Sequence, residues 1–331
     1  MRKLALSLAL LAAAWVIASP MSAFALNTRS WVASTGFDSN PCTRAQPCAT
    51  FGQALSQTSA GGEINCIDQG DFAGGSQLAI AKSIIIDCEA VQARFGFAFA
   101  SSVAIAVSAS ASDVVTLRGL DIDGNTISAT GVAFDGGAAL HIEKCVIRNF
   151  AATGANVLVA GIADFAPNSE LFVSDTIVSN NGTGTPGAGI LIISFASNPT
   201  AKVTLNRVEA RDNFFGIKAD ATQAEGGVIQ MTIRDSVSAG NSSNGIVGTG
   251  NAAGPAIVMM IDHSASSHNA AGFGVIADGP KTTIRLGGSS IAGNINGVGV
   301  SNGGVLQSYG TNQINGNSND GIAALTPIGL H

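Results

Sequence analysis

Leu117-x-x-Leu120-x-Ile122-x-x-Asn125, followed six residues after the asparagine by Gly131-Val132, is the stretch that decides the fold. The spacing returns as Val173, Thr176, Val178, Asn181 with Gly189-Ile190, and as Leu205, Val208, Ala210, Asn213 with Gly216-Ile217. It continues through Ile233, Ser236, Ser238, Asn241 with Gly245-Ile246, and Ile261, Ser264, Ser266, Asn269 with Gly272-Phe273. Leu286, Ser289, Ile291, Asn294 with Gly297-Val298 and Tyr309, Asn312, Ile314, Asn317 with Gly321-Ile322 close the series. A looser copy, Ile142, Cys145, Ile147 with Asn149 one residue early, leads to Gly161-Ile162. The eight glycines (131, 161, 189, 216, 245, 272, 297, 321) are 24 to 30 residues apart. A period in that range marks a stack of repeats, each burying its apolar face only against its neighbours.

Composition narrows the kind of stack. Charged residues are 11% of the 331, and glycine supplies 41 of them. Low charge with many Gly, Ala, Ser, Asn, Val and Ile fits a β-solenoid better than a helical one. Residues 1–25 read as an export leader: Arg2-Lys3, an apolar run from Leu4 to Ile17, and Ala23-Phe24-Ala25 before Leu26. Losing Arg2 and Lys3 takes the basic count from 16 to 14 against 22 acids, a net charge of −8. A chain this acidic lacks the basic stripe that nucleic acid requires. No later apolar run is long enough to span a bilayer, so the remainder is expected to be soluble, not transmembrane, and secreted to the periplasm or the extracellular space.

Residues 26–62 form the expected N-terminal unit. Trp31 to Ala33 reads as a strand, Gly36 to Pro41 as a turn, and Ala49 to Thr58 as a short helix with Phe51, Ala54 and Leu55 on one face. Thr50 suits the N-cap and Gly61-Gly62 the end. A helix placed ahead of a β-stack covers its open edge. The run Ser34-Thr35-Gly36-Phe37-Asp38-Ser39-Asn40-Pro41, the loop ending at Pro47 and the Thr50-Phe51 helix resemble the opening of secreted bacterial right-handed parallel β-helix proteins of the pectate-lyase-like superfamily. Glu63 to Asp68 and Lys82-Ser83-Ile84-Ile85-Ile86-Asp87 are similar to their first two coils. The resemblance implies an all-β right-handed parallel β-helix over residues 63–331, of about nine to eleven coils, beneath the N-terminal capping helix. It implies no particular activity, since that superfamily holds lyases, hydrolases, epimerases and proteins without known activity. The leucine-rich repeat, which shares the Leu-x-x-Leu-x-Ile-x-x-Asn signature, is disfavoured because Gly-Ile/Val and β-branched residues replace a helical return.

Cys42 and Cys48 flank a six-residue loop and are expected to pair in an oxidising compartment. Cys66 and Cys88, 22 residues apart, stand about one coil from each other and form a possible second bridge. Cys145 shares a column with Leu120, Thr176 and Val208 and reads as a buried small hydrophobe. In such a coil, Ile122, Ile147, Val178, Ala210, Ser238, Ser266, Ile291 and Ile314 stack inward, about 4.8 Å apart. Asn125, Asn181, Asn213, Asn241, Asn269, Asn294 and Asn317 are expected to form a structural ladder, because an amide both donates and accepts and Asn tolerates left-handed backbone. Length variation is expected after the Gly-Ile/Val strands, at residues 155–169, 195–200, 221–227 and 251–255.

Chemistry is sparse. A lyase on this scaffold needs carboxylates converging on calcium and a Lys or Arg base, and a hydrolase needs two spaced carboxylates. Asp121, Asp123 and Arg148 are the one local group of that kind, and an Asp123–Arg148 ion pair across coils is the simpler reading. Asp262, His263 and His268 do not have to share a face, and no third metal ligand is spaced beside them. Sugar grooves are gripped by Trp and Tyr. After the leader only Trp31 and Tyr309 remain, one at each end, which argues against a long carbohydrate groove. The expectation is therefore a structural, adhesive or glycan-contacting surface protein without an evident catalytic site, cofactor or metal. Its partners are cell-surface or extracellular polysaccharide, or another protein at the C-terminal end. The alternative is a polysaccharide lyase, hydrolase or epimerase, the only case requiring calcium. An autotransporter passenger lacks the C-terminal barrel pattern.

Overall fold

The computed structural model describes residues 26–153, 158–185 and 187–330. The leader (1–25), Ala155 of the first expected insertion, and His331 lie outside them. The chain winds through three parallel sheets of twelve, nine and nine strands. A typical coil runs Thr200–Asn206 in sheet 1, Glu209–Arg211 in sheet 2 and Phe215–Ala221 in sheet 3, then returns to Val228–Arg234. Sheet 1 alternates with the two-residue period of a strand. In Val228–Arg234, Ile229, Met231 and Ile233 are buried while Gln230, Thr232 and Arg234 face solvent. In sheet 2 the strands are mostly three residues long with the middle one inward. The register joins Ile122, Ile147, Val178, Ala210, Ser238, Ser266, Ile291 and Ile314 in one column. Sheet 3 is largely buried on both faces, its outward side mostly apolar but carrying the buried Lys218–Asp220 ion pair at 2.8 Å. Ile190 and Ile192 point to the core, while Leu191 and Ile193 belong to a separate buried cluster with Val247 and Ile276.

The corner between sheets 2 and 3 is held by asparagine. Asn181 Nδ2 donates to Asn213 Oδ1 at 3.0 Å, and the pattern repeats from Asn213 to Asn241, Asn241 to Asn269, Asn269 to Asn294 and Asn294 to Asn317. Each Oδ1 also accepts the backbone N–H of the previous asparagine. The ladder runs one way and ends where Asn317 donates to Asp320 Oδ1 at 2.9 Å. Two features of the expected ladder are corrected. Asn125 is not a buried rung: it is exposed, with φ +49°, and binds Arg94 and the Phe97 carbonyl. In the next coil Phe150 takes the ladder place, giving only its N–H to Asn181 Oδ1. The left-handed residue is also not the ladder asparagine but the one before it: Asn180, Asp212, Gly240, His268, Gly293 and Gly316.

The glycine column follows from close packing. A Cβ on Gly216 or Gly245 would lie 2.1 or 2.2 Å from the hydroxyl of Ser238 or Ser266. Those two serines replace apolar core residues because each Oγ donates to a glycine carbonyl of sheet 3, Gly245 or Gly274. Gly274, not Gly272, is therefore the column member, with Val275 aligned on Ile246. Gly272 lies outside the column with φ +71°. In the last coil Gly321 opens a 3₁₀ turn, Ile322–Ala324, instead of a sheet-3 strand. The first insertion also falls before its sheet-3 strand, Ala160–Asp164, and not after it.

The N-terminal unit closes one end. Helix α1 (Phe51–Gln57) is seven residues, shorter than the expected span, and Gly61-Gly62 lie inside the following strand, Thr58–Cys66. Thr50 Oγ1 accepts from Gln53 N, and Asp38 holds the cap by accepting from the Ala49 and Thr50 N–H groups. Phe51, Ala54 and Leu55 are buried, with the Phe51 ring 5.5 Å from Phe72 and 6.3 Å from Phe95. Lys82 Nζ donates to the Leu55 carbonyl at the helix end. Cys42–Cys48 staples the loop before the helix, and Cys66–Cys88 joins successive sheet-1 strands. At the far end, Leu325–Pro327 is the last sheet-1 strand, and Ile322 and Leu330 are exposed.

Candidate functional site

The structure brings Asp121, Asp123 and Arg148 together as neighbours in sheet 2 and leaves none of them free. Arg148 clamps both oxygens of Asp121 at 2.9 Å and reaches Asp123 Oδ2 at 3.0 Å. Asp123 Oδ2 also lies 3.4 Å from Arg94, and its Oδ1 accepts from Asn149 Nδ2 and the Asn125 N–H. The Asp121 bond holds the Arg148 guanidinium above its ordinary range. Asp123 has two partners at each oxygen, and Asp121 is held at both oxygens by a permanently charged guanidinium, which disfavours a proton or a second cation on either carboxylate. The group fastens three coils.

Cys145 is buried, and burial pushes its thiol up to about 12, so little thiolate forms at neutral pH. His263 and His268 stand exposed at opposite ends of the strand Ala265–Ser267, each in left-handed backbone, and so share no face. Among the described residues no group of three or more His, Cys, Asp or Glu side chains is placed to hold a metal.

The outer face of sheet 1 holds what the sequence did not disclose. Following the register, one outward column reads Trp31, Asn65, Asp87, Arg118, Glu143, Ser174, Asn206, Arg234, Asp262, Gly287. Tyr309 extends it, its N–H bonding the Leu286 carbonyl. The two aromatics that seemed isolated at opposite ends thus bracket a single line. Ten strand steps of about 4.8 Å separate them, roughly 48 Å. Asp87, Arg118 and Glu143 form an ion triplet within it, at 3.0 and 2.8 Å. Beside the line, His141 stacks on Phe172 with ring centroids 4.8 Å apart, and Lys202 pairs with Glu170.

Both ends of the line open into depressions. Trp31 shares one of about 400 Å³ with Arg29, Arg44 and Asn65. Tyr309 shares one of about 440 Å³ with Arg234, Met260, Asp262, His263 and the Gly287–Gly288 pair. The second signal was present in the sequence: Gly287-Gly288 stand where earlier coils carry Arg234-Asp235 and Asp262-His263.

No curated protein matches the chain. Two solved structures of similar shape are a pectate lyase, Pel9A, and a rhamnogalacturonan lyase. The first has a TM-score of 0.50 at 15% identity, covering 90% of this chain and 81% of that one. The second has a TM-score of 0.50 at 14% identity, covering 82% and 75%. At such identities the likeness is one of fold. The family model for the right-handed β-helix region matches residues 103–286, which span the coils from Val103–Ser108 through Thr282–Gly287. The chain belongs to the right-handed β-helix family.

Proposed function

We propose that this protein is an exported β-helix that holds a polysaccharide chain against the outer face of sheet 1 without cleaving it. The observation that carries the reading is the Trp31-to-Tyr309 line: flat aromatic faces at both ends, with amide, carboxylate and guanidinium groups between them at strand spacing. Such a line suits an extended polymer whose rings stack at the ends and whose hydroxyls bond along the way. The two neighbours named as lyases support a glycan as the polymer, since pectate and rhamnogalacturonan are polysaccharides. Two disulfides suit an oxidising compartment, and among the described residues no helix is long and apolar enough to cross a membrane. Binding is favoured over cleavage because the one carboxylate group of lyase type, Asp121 and Asp123, is closed by Arg148 and Arg94.

The test is retention on a panel of immobilised plant, bacterial and animal polysaccharides, run beside assays for new reducing ends and unsaturated products. Retention by at least one polymer with no product is expected. Release of product, or retention by none, overturns the proposal.

A further inference from the structure

Resting on that reading, we infer that the depression at Tyr309 is a subsite for one neutral sugar ring, with Gly287 and Gly288 as its floor and Asp262 as its hydroxyl acceptor. Three observations converge. First, the floor is bare. Two glycines in sequence contribute no side chains of their own, so the walls over that strand come from its neighbours, Asp262 and His263 on one side and Tyr309 on the other. Second, flat rings lean over that floor from both sides. A Cβ on Gly288 would lie 3.2–3.3 Å from three atoms of the His263 imidazole, so the ring lies face-on above it. A Cβ on Gly287 would lie 3.4 Å from Tyr309 Cδ2 on the other side. Third, one carboxylate oxygen is unspent. Asp262 Oδ2 lies 2.9 Å from His263 Nδ1, while Oδ1 takes no hydrogen bond among the described residues and sits over Gly287, 3.2 Å from where its Cβ would be.

Charge selects the ligand. Among the described residues that line the cup Arg234 is the one permanent cation, since Arg285, on the strand that ends at Gly287, lies outside the lining. Arg234 faces two carboxylates, Asp235 at 3.4 Å and Asp262 at 3.9 Å. A uronate entering there meets a site already short of positive charge. A neutral hexose meets an acceptor at Asp262 Oδ1, donors at Arg234 and an apolar surface from Tyr309 and Met260. Vicinal hydroxyls bridging a carboxylate and a guanidinium, with the ring face on tyrosine, satisfy every group on the cup. His263 acts as a positioning residue: its Nδ1, 2.9 Å from Oδ2, keeps that oxygen on its own side so that Oδ1 faces the floor.

Calorimetric titration with matched neutral and uronic tetrasaccharides tests this, using the full chain and three variants whose melting is checked first. Wild type is expected to bind a neutral tetrasaccharide at least ten-fold more tightly than its uronic counterpart. Tyr309→Ala, and Gly287→Leu, which fills the floor at ordinary backbone angles, each weaken that binding about ten-fold. Trp31→Ala weakens only longer chains that reach the other end. Preference for the uronic ligand, or unchanged affinity in both cup variants, overturns the subsite and leaves the line standing. No binding of any saccharide by wild type removes both.

Discussion

Two groups of charge on the same solenoid met opposite fates. At Asp121, Asp123 and Arg148 every carboxylate oxygen has a cationic or amide partner, and the Asp123 side chain is 7% exposed. At Asp262, Arg234 and His263 the same kinds of residue stand around a missing pair of side chains, and one oxygen is idle. Residue type does not separate them; what lies one strand over does. Arg148 has Asp121 and Asp123 on the preceding coil, whereas Asp262 has Gly287 on the following one. The first group therefore belongs to stability, and the second is the one proposed for recognition.

That division can be broken at several strengths. Ile147 underlies the closed group, fully buried beside Arg148. Ile147→Asp places an unpaired charge in the core and is expected to cost about 5 kcal/mol or more, enough to abolish a cooperative melt. Asp164 is the limiting case, a carboxyl with no cation beside it among the described residues. It is buried, its Oδ2 has no partner, and desolvation raises it from 3.8 to about 7. The folded chain then keeps a proton that the unfolded chain has lost. The Asp164 contribution to stability is greatest below about pH 4, falls as pH rises to about 7, and is flat above that, by about 4 kcal/mol in all. Urea titrations across that range should show the slope in wild type and not in Asp164→Asn. Arg148→Ala strips Asp121 of its partner and leaves Asp123 with Arg94 as its cation beside the Asn149 and Asn125 donors. A loss of about 2 kcal/mol in urea midpoint analysis, with unchanged saccharide binding, is expected. Tyr309→Ala should do the reverse, shifting stability by less than about 0.5 kcal/mol while binding weakens. A large stability loss there would merge the two groups.

Much of this was legible in advance, for physical reasons that can be named. The core column from Ile122 to Ile314 is set by a strict strand period, and stacked coils repeat it. Both cysteine pairs are close in the chain or one coil apart. What misled was degeneracy. Gly272 and Gly274 are the same residue, and only the depth of Ser266 beneath the second identifies the column member. Asn125 has the right type and spacing, but in its coil left-handed backbone falls on Asn125 and Thr126, and its side chain swings out. The asparagines were also assigned the left-handed turn, although residue 180 or 212 absorbs it, leaving Asn181 or Asn213 free to point inward. The Trp31–Tyr309 line could not be read because it depends on register across ten strand steps, which spacing in the chain does not encode when loop lengths vary.

The one-way asparagine ladder has a consequence for how such a protein can change over generations. Each rung asks only that the next coil offer the same amide in the same place, so a whole coil can be duplicated or dropped without the others registering it. The Phe150 N–H opens the ladder and Asp320 closes it, so only its two ends depart from the repeated amide. The length of the outer face then changes in whole-coil increments, independent of the chemistry presented at either end.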